Sequence, residues 1–198
     1  MLKEQLNILN LYKKDLNQEL TFKQIKEKTK QKSNNQVQTA LKYLQEKQIL
    51  NKKLIGNVAL YFINLSTLTI AYLNLINELE IEKSKLPKKL LDTIKLSLQK
   101  ETPFFILIVF GSYAKSKATE KSDLDIAIIT QTKEIIPSLE TIKRRELIQL
   151  DYHIFTKEEF LEMLNQEEEN LGKQIQKNSI IYSGFNEYIV LDICGKNL

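Results

Sequence analysis

Hydrophobic side chains recur at helical spacing through the first third of the chain. A first amphipathic helix is marked by Leu2, Leu6, Ile8, Leu9 and Tyr12. Thr21 can cap a second, short helix, whose apolar side carries Phe22, Ile25 and Thr29. After the polar turn 31–35, a third helix places one core-facing stripe at Val37, Ala40, Leu41 and Leu44.

Two runs rich in β-forming residues follow these helices. They extend over Ile49–Ile55 and Val58–Ile63, and Gly56-Asn57 between them is a typical hairpin turn. The pattern therefore predicts three helices and then a β-hairpin within residues 1–64.

Charge separates this segment from the rest of the chain. Residues 1–66 hold 12 Lys and 5 acidic residues, whereas the remainder holds 17 Lys and Arg against 20 Asp and Glu. This asymmetry suggests that the first third binds a polyanion. The alternative is that the lysines reflect a compositional bias and form solvated faces that bind nothing.

The three helices and hairpin resemble a winged helix-turn-helix domain, with NNQVQTALKYLQEKQIL as its recognition helix running into the wing. The resemblance implies double-stranded DNA as a partner of residues 1–66. Residues expected to face bases or phosphates are Ser33, Asn34, Asn35, Gln36, Gln38 and Thr39. Lys42, Lys52 and Lys53 are expected near the DNA backbone. A winged helix used only for protein contacts is the alternative.

Residues 67–87 are predicted to be a helical connector ahead of a second domain over 88–198. One helical face would carry Leu68, Tyr72, Leu75, Ile76 and Leu79, either packed on a core or joining a homodimer. A linker is expected near 80–87, and a further helix over 88–100.

Localisation signals point to the cytoplasm. The only cysteine, Cys194, has no partner for an internal disulfide, which is typical of a reducing compartment. The segment MLKEQLNILN has no apolar signal-peptide core. Leu54–Asn77 lacks charged residues but holds too many polar side chains for a membrane span, so no membrane association is expected.

Candidate chemistry lies in the second domain. A buried strand is predicted over Phe104–Phe110 and ends in Gly111-Ser112, where backbone N–H groups and a hydroxyl can approach a phosphate. Asp123 and Asp125, two apart on the next strand, place both carboxylates on one face. A third strand, Leu147–Phe155, carries Asp151.

Clustered carboxylates are costly unless they bind a cation, and hard oxygen ligands open to a phosphate suit Mg²⁺. Three carboxylates from neighbouring strands would form a site for two metal ions. A metal site beside a phosphate-binding turn indicates phosphoryl or nucleotidyl transfer.

The stretch FGSYAKSKATEKSDLDIAII closely resembles the motif of DNA polymerase β-like nucleotidyltransferases, especially the minimal ones often found as antitoxins. The resemblance covers about residues 88–185, including a closing helix and strand in LGKQIQKNSIIYSG. It implies an α/β (α+β) fold with a small mixed sheet flanked by helices.

The resemblance also implies roles for individual residues. Gly111 and Ser112 would hold the triphosphate, and Asp123 and Asp125 would bind two Mg²⁺ ions. Asp151 would bind the metal nearer the acceptor and help to deprotonate its hydroxyl. The family commonly has Arg-Gly where this chain has Lys115-Ser116, so Lys115 would supply the positive charge and the loop would be stiffer.

The function implied is transfer of a nucleoside monophosphate from an NTP, with ATP as the first choice, to a hydroxyl on a partner toxin protein. Combined with DNA binding, this describes an antitoxin that represses its own operon. The alternative is a transcriptional regulator whose nucleotidyltransferase domain is inactive and senses a nucleotide or a partner. His153, on the same strand face as Asp151, is expected to have a structural role or to support Asp151, and a catalytic role is the alternative.

Overall fold

The computed structural model describes residues 3–13, 15–119, 121–146 and 149–195, and side chains only as far as residue 191. Leu2, Leu147 and Ile148, which the sequence assigned to a helix and a strand, lie outside the described residues. The chain forms two compact units, Met1–Ile76 and Asn77–Leu198. The domain bounds proposed from the sequence, at residues 66 and 87, stay predictions.

In the described residues before Thr67, the first unit contains three helices and three short strands. In chain order they are α1 (Lys3–Tyr12), β1 (Leu20–Thr21), α2 (Phe22–Lys28), α3 (Asn34–Glu46), β2 (Leu50–Ile55) and β3 (Val58–Ile63). The three predicted helices and the hairpin are therefore confirmed as elements. The sequence analysis did not predict β1.

Local capping explains where two of these helices begin. Thr21 accepts a hydrogen bond from the backbone N–H of Gln24, and the Gln24 side chain accepts one from the backbone N–H of Thr21. Ser33 accepts from the backbone N–H of Gln36 at the start of α3. Each cap satisfies N–H groups that the helix itself leaves unpaired.

An antiparallel sheet in the order β1-β3-β2 closes this unit. The predicted stripe on α3, Val37, Ala40, Leu41 and Leu44, is buried together with Ile8, Leu9, Tyr12 and Ile25. The buried Tyr12 hydroxyl donates to the carbonyl oxygen of Tyr61 at 2.9 Å, which ties α1 to β3.

The second unit is built around a mixed sheet. Its elements follow α4 (Thr67–Lys83): α5 (Lys88–Glu101), β4 (Phe105–Val109), α6 (Gly111–Ala114), β5 (Leu124–Thr130), α7 (Ile136–Arg145), β6 (Leu150–Phe155), α8 (Lys157–Asn165), α9 (Leu171–Lys177), β7 (Ile180–Ser183) and α10 (Phe185–Gly195). The strand order is β6-β5-β4-β7, with β5 and β6 parallel and the other pairs antiparallel. The predicted α/β fold class is confirmed.

Only part of the predicted apolar face of α4 packs on a core. Leu68 and Leu75 are 42% and 46% exposed, whereas Ile76 is buried together with Thr69, Leu73, Asn77 and Ile81. Two polar side chains on that face have internal partners: Thr69 donates to the carbonyl of Asn64, and Asn77 donates to the carbonyl of Ile181. The buried face of α4 therefore includes polar side chains with hydrogen-bonding partners, one of them 104 residues away, and apolar spacing alone does not identify it. The alternative, that the predicted face joins a homodimer, stays a prediction.

Strand burial in the second unit explains why its apolar runs are continuous. Leu107 and Val109 of β4 pack with Ile126 and Ile128 of β5 in one core, which α5 joins through Leu91, Ile94 and Leu98. Because helices and neighbouring strands cover the sheet, alternation between polar and apolar residues is not required. Polar residues on these strands therefore stand out as exceptions.

Among the described residues, none of the helices is long and apolar enough to cross a membrane.

Candidate active site

A tight turn at the end of β4 brings the Gly-Ser pair against a carboxylate. Gly111 has φ +66°, in the left-handed region that favours glycine. A Cβ atom at this position would lie 1.9 Å from Oδ2 of Asp125, so the carboxylate occupies the space that a side chain would need. The backbone N–H of Ser112 donates a hydrogen bond to the same carboxylate. Gly111 and Ser112 therefore hold Asp125 in place from two sides.

The second aspartate comes from the neighbouring parallel strand. Asp125 on β5 is directly opposite Asp151 on β6 in the register of the sheet, so their side chains share one face. Asp123 lies one residue before β5 begins, rather than within the strand as predicted. The structure nonetheless brings the three predicted aspartates together at the end of the sheet where β5 and β6 begin.

Electrostatic coupling confirms that these carboxylates are close. The pKa of Asp125 is raised first by burial, then by the negative charge of Asp151 and, to a smaller extent, by that of Asp123. The Ser112 N–H and the nearby His153 act in the opposite direction. A half-buried carboxylate surrounded by others is destabilised in its charged form, and a bound cation would remove that cost.

Whether this set fits a metal ion can be judged from its chemistry. In the part of the chain that the structure describes, no three His, Cys, Asp or Glu side chains form a preformed metal-binding group. The donors at the site are carboxylate oxygens in mutual repulsion, which is the donor type that Mg²⁺ prefers. The donor chemistry of these residues therefore fits a hard divalent cation.

The loop after α6 contains Lys115-Ser116, where the nucleotidyltransferase motif commonly has Arg-Gly. Lys115 ends α6 and is exposed, and Ser116 has φ +55°. The backbone N–H of Lys117 donates to the Ser112 carbonyl at 2.9 Å and closes the turn. Ser116 therefore adopts a left-handed conformation at the position where glycine was expected, and its Cβ makes that conformation costly.

A cavity of about 470 Å³ lies beside the aspartates. Its lining combines both signs of charge and consists of Asp123, Lys143, Glu146, Gln149, Leu150 and Asp151. Sequence reasoning missed Lys143, Glu146 and Gln149, since no spacing motif marks them. The one available signal was their position within eight residues of Asp151.

The geometry thus combines a glycine-serine turn, two facing strand aspartates and an adjoining polar cavity. Residues 92–186 match the family model described as polymerase beta, nucleotidyltransferase. The match begins within α5, ends in α10 and includes all four strands of the sheet. It supports nucleotidyl transfer as the general activity, and we call this region the nucleotidyltransferase domain. A search of curated protein sequences found no significant match to the chain.

His153 of the nucleotidyltransferase domain lies beside the site and between aromatic rings. Its Nε2 atom is 3.7 Å from Oδ2 of Asp151. Its ring centroid is 5.9 Å from that of Phe110 and 6.2 Å from the stacked ring of Phe155. These contacts place the imidazole beside Asp151, and the structural role of His153 stays a prediction.

The DNA-contacting residues predicted from the sequence all lie outside the nucleotidyltransferase domain. Those on or beside α3 are exposed except Ser33, the partly buried cap. Asn34 accepts a hydrogen bond from Nζ of Lys26 at 2.6 Å. A cavity of about 260 Å³ between α1 and α3 is lined by Glu4, Gln5, Asn35, Gln36, Thr39 and Ala40.

The predicted lysines differ in their surroundings. Lys42 lies 3.9 Å from Glu46 on the next turn of α3, in an exposed pair worth little to stability. Lys53 forms an ion pair with Glu19, and Lys52 is exposed on the hairpin. The DNA-binding roles of these lysines stay predictions.

Proposed function

We propose that this chain transfers a nucleoside monophosphate from an NTP, with ATP as the preferred donor, to a hydroxyl group on a partner protein. We also propose that residues 1–66 bind double-stranded DNA as a winged helix-turn-helix domain. The observation that carries the first half is the contact of the Asp125 carboxylate with Gly111 and the Ser112 N–H. It joins a phosphate-binding type of turn to a carboxylate cluster within one site.

Each residue contributes a distinct interaction. The Ser112 backbone N–H already binds Asp125, so the Ser112 hydroxyl is the donor that this residue offers to a phosphate. Lys115, exposed at the end of α6, adds positive charge for the triphosphate. Asp123, Asp125 and Asp151 would hold two Mg²⁺ ions, which when bound supply activation of the acceptor hydroxyl and neutralisation of the leaving phosphates.

In the reaction, the acceptor oxygen forms a bond to the α-phosphorus and the bond to the β-phosphate oxygen breaks, so pyrophosphate leaves. The acceptor hydroxyl proton moves towards Asp151, whose exposed side chain borders the polar cavity. The acceptor would enter through that cavity, because Asp151 is among the residues that line it. Its Lys143 and Glu146 are positioned to contact polar groups around the acceptor hydroxyl.

Support for DNA binding comes from the first unit. It has three helices followed by a hairpin, and it lies in the segment where lysines outnumber acidic residues by 12 to 5. A positive surface of this kind binds the phosphate backbone, with an affinity that falls steeply with salt. Together with transfer to a partner toxin, this supports an antitoxin that represses its own operon in the cytoplasm.

Label transfer from α-³²P-ATP tests the enzymatic half directly. The full chain is incubated with Mg²⁺, labelled ATP and lysate from the host, and the Asp123→Asn/Asp125→Asn variant is run in parallel. The matched control is Glu167→Gln/Glu168→Gln, which removes two exposed carboxylates away from the sheet edge. We expect a discrete labelled band for the wild type and for this control, and its loss in the aspartate variant.

A second candidate function has its own support. The strained Ser116, in the loop that would close over the phosphates, favours a nucleotidyltransferase domain that senses a nucleotide or a partner without transferring a nucleotide. Such a regulator would show a higher melting temperature with Mg²⁺-ATP but no label transfer with any of the four NTPs. Labelling lost in the aspartate variant would exclude it.

A further inference from the structure

The end strand of the nucleotidyltransferase sheet has one unpaired edge. In the order β6-β5-β4-β7, β6 pairs with β5 and with no other strand of the described residues. Only Leu150 among its six residues is buried. The strand carries neither lysine nor proline, which commonly protect an exposed edge from pairing. Its outer edge can therefore form hydrogen bonds with a further strand.

The register of the parallel pair shows which backbone groups of β6 point outward. Leu124 is opposite Leu150, and its N–H donates to the carbonyl of Gln149 at 2.8 Å. In a parallel pair a residue bonds to the residues on either side of the one opposite it, so β5 uses alternate residues of the partner strand, counted from Gln149. The N–H and C=O groups of Leu150, Tyr152 and Ile154 consequently point away from β5.

An added antiparallel strand would bring one of its residues close to Asp151. The outward residues Leu150 and Tyr152 would form hydrogen-bonded pairs with it, and the residue opposite Asp151 would lie between those pairs. In such a non-hydrogen-bonded pair the two Cα atoms are about 4.5 Å apart, and both side chains point to the same face. That face is the one on which Asp151 meets Asp125. A hydroxyl side chain at this position is therefore delivered to the carboxylate cluster.

We propose that the acceptor is an extended segment of the partner protein that adds to β6 as an antiparallel strand, with its serine, threonine or tyrosine opposite Asp151. This inference rests on the proposed function and names the form in which its substrate binds. The acceptor oxygen forms its bond to the α-phosphorus, its proton passes to Asp151 and pyrophosphate leaves. Backbone hydrogen bonds supply the affinity for such a segment, and its side chains supply the selectivity.

Side chains along β6 predict which residues the segment carries. Two residues before the acceptor, the added strand would lie opposite His153, which is 39% exposed and stacked with Phe155. An aromatic residue is favoured there, because aromatic pairs across neighbouring strands are stabilising. Residues after the acceptor would pass Gln149 and enter the cavity that Lys143 and Glu146 line. Polar residues are favoured at those positions.

The place of the open edge beside Asp151 distinguishes this occupant from two others. A second copy of the chain paired through β6 would cover Asp151 and close the cavity beside it, which would prevent transfer. A nucleic acid has no row of alternating donors and acceptors to match the N–H and C=O groups of an edge strand. An extended polypeptide has that row and presents its hydroxyl side chain to the carboxylates.

Label transfer to peptide libraries tests this inference. Ten-residue peptides carry one fixed serine, threonine or tyrosine at the centre and random residues elsewhere. They are incubated with the full chain, Mg²⁺ and α-³²P-ATP, and host lysate is run in parallel. We expect labelled peptides with an aromatic residue two positions before the hydroxyl residue. The variant His153→Thr, which keeps a good strand former, should remove that preference.

Backbone methylation of the best-labelled peptide tests the register. N-methylation of the two residues that flank the hydroxyl residue removes donors that would bond to β6, so labelling should fall by about tenfold or more. N-methylation of the hydroxyl residue itself is the matched control, because in this register its N–H points away from β6. That control should keep labelling within about twofold of the unmodified peptide.

Hydrogen exchange in the full chain gives a readout that does not depend on activity. In the free protein the amides of Tyr152 and Ile154 should exchange about tenfold faster or more than those of Asp151 and His153, which β5 protects. The bound peptide, supplied without ATP, should slow the first pair by about tenfold and leave the second pair unchanged.

Each of four results would overturn the inference. If a lysate protein is labelled but no library peptide is, the acceptor binds as a folded surface and the proposed transfer stands. If both kinds of N-methylated peptide are labelled equally, the peptide does not pair with β6. If the Tyr152 and Ile154 amides are protected in the free chain and lose protection on dilution, a second copy occupies the edge. If only RNA is labelled, or nothing is, the proposed partner-protein acceptor fails as well.

Discussion

Two glycines with nearly the same backbone conformation behave differently in the two units of this molecule. Gly56 in the hairpin has φ +58°, and Gly111 at the end of β4 has φ +66°. A Cβ at Gly56 would meet nothing within 4 Å, whereas a Cβ at Gly111 would lie 1.9 Å from Oδ2 of Asp125. Gly56 is needed only for the conformation of its turn. Gly111 is needed both for its turn and for the space that the Asp125 carboxylate occupies.

This difference separates local from tertiary requirements for glycine. At Gly56 any residue that tolerates a left-handed conformation suffices, and asparagine or aspartate are such residues. At Gly111 the absence of a side chain allows a carboxylate to approach the main chain. A glycine next to a charged side chain from another strand therefore points to a functional site, while a glycine in open space points only to a turn.

The largest expected effect comes from Gly111→Ala. The new methyl group must displace the Asp125 carboxylate and weaken its hydrogen bond from the Ser112 N–H. Displacement of a catalytic group by about 1 Å can cost on the order of 100-fold in rate, so label transfer should fall by about that factor. The unfolding free energy of the domain should fall by about 1 kcal/mol from the left-handed backbone, as at Gly56, and further because the carboxylate is displaced.

A double-mutant cycle identifies the cause of that effect. If the clash with the carboxylate is responsible, Gly111→Ala should be less destabilising in an Asp125→Ala background. The coupling free energy from chemical denaturation should then be about 0.5–3 kcal/mol. A coupling of zero would mean that the alanine is strained by its φ angle and not by Asp125.

Gly56→Ala should have an intermediate effect, confined to the first unit. The alanine meets no neighbouring atom, so only the left-handed conformation costs free energy, about 1 kcal/mol. Hydrogen exchange measures this loss of stability, because the amides of β2 and β3 should be less protected in the variant. Label transfer by the nucleotidyltransferase domain should stay at the wild-type level. A matched Gly56→Asn variant should recover most of the stability, and a failure to do so would contradict a purely conformational role.

The smallest expected effect is a gain in stability from Ser116→Gly. Ser116 has φ +55° without the conformational freedom of glycine, so the substitution relieves strain of at most about 1 kcal/mol. In a domain of this size that corresponds to a rise in melting temperature of up to about 4 °C. Ser116→Ala, which removes the hydroxyl but keeps the Cβ atom and therefore the strain, serves as the matched control. A lower melting temperature for Ser116→Gly would show that the serine makes a contact more valuable than the strain.

Local signals explain what the sequence alone could predict. The Gly56-Asn57 turn, the Thr21 cap and the apolar stripe of α3 each depend on residues within one turn or hairpin, and all were identified. The apolar runs of β4 and β5 were equally clear, because strands buried in a covered sheet need no alternation. The aspartates at 123, 125 and 151 were found because polar residues are unexpected beside such runs.

Features that depend on partners distant in sequence could not be predicted from the sequence. The buried face of α4 includes Asn77, which donates to the Ile181 carbonyl 104 residues away. The cavity beside Asp151 depends on where the end of α7 comes to lie against β6, and no spacing encodes that position. The use of the Ser112 N–H by Asp125, and not by a phosphate, likewise required the fold.

The hydrogen bond from Ser112 to Asp125 is made by the main chain, and this allows the two roles of the serine to be separated genetically. Replacing Ser112 by alanine removes the hydroxyl but leaves the N–H that holds the carboxylate. A change in nucleotide affinity in that variant would therefore report on the hydroxyl alone. The main-chain hydrogen bond to Asp125 does not depend on the side chain at residue 112, so substitutions there can change nucleotide affinity while the carboxylate cluster stays in place.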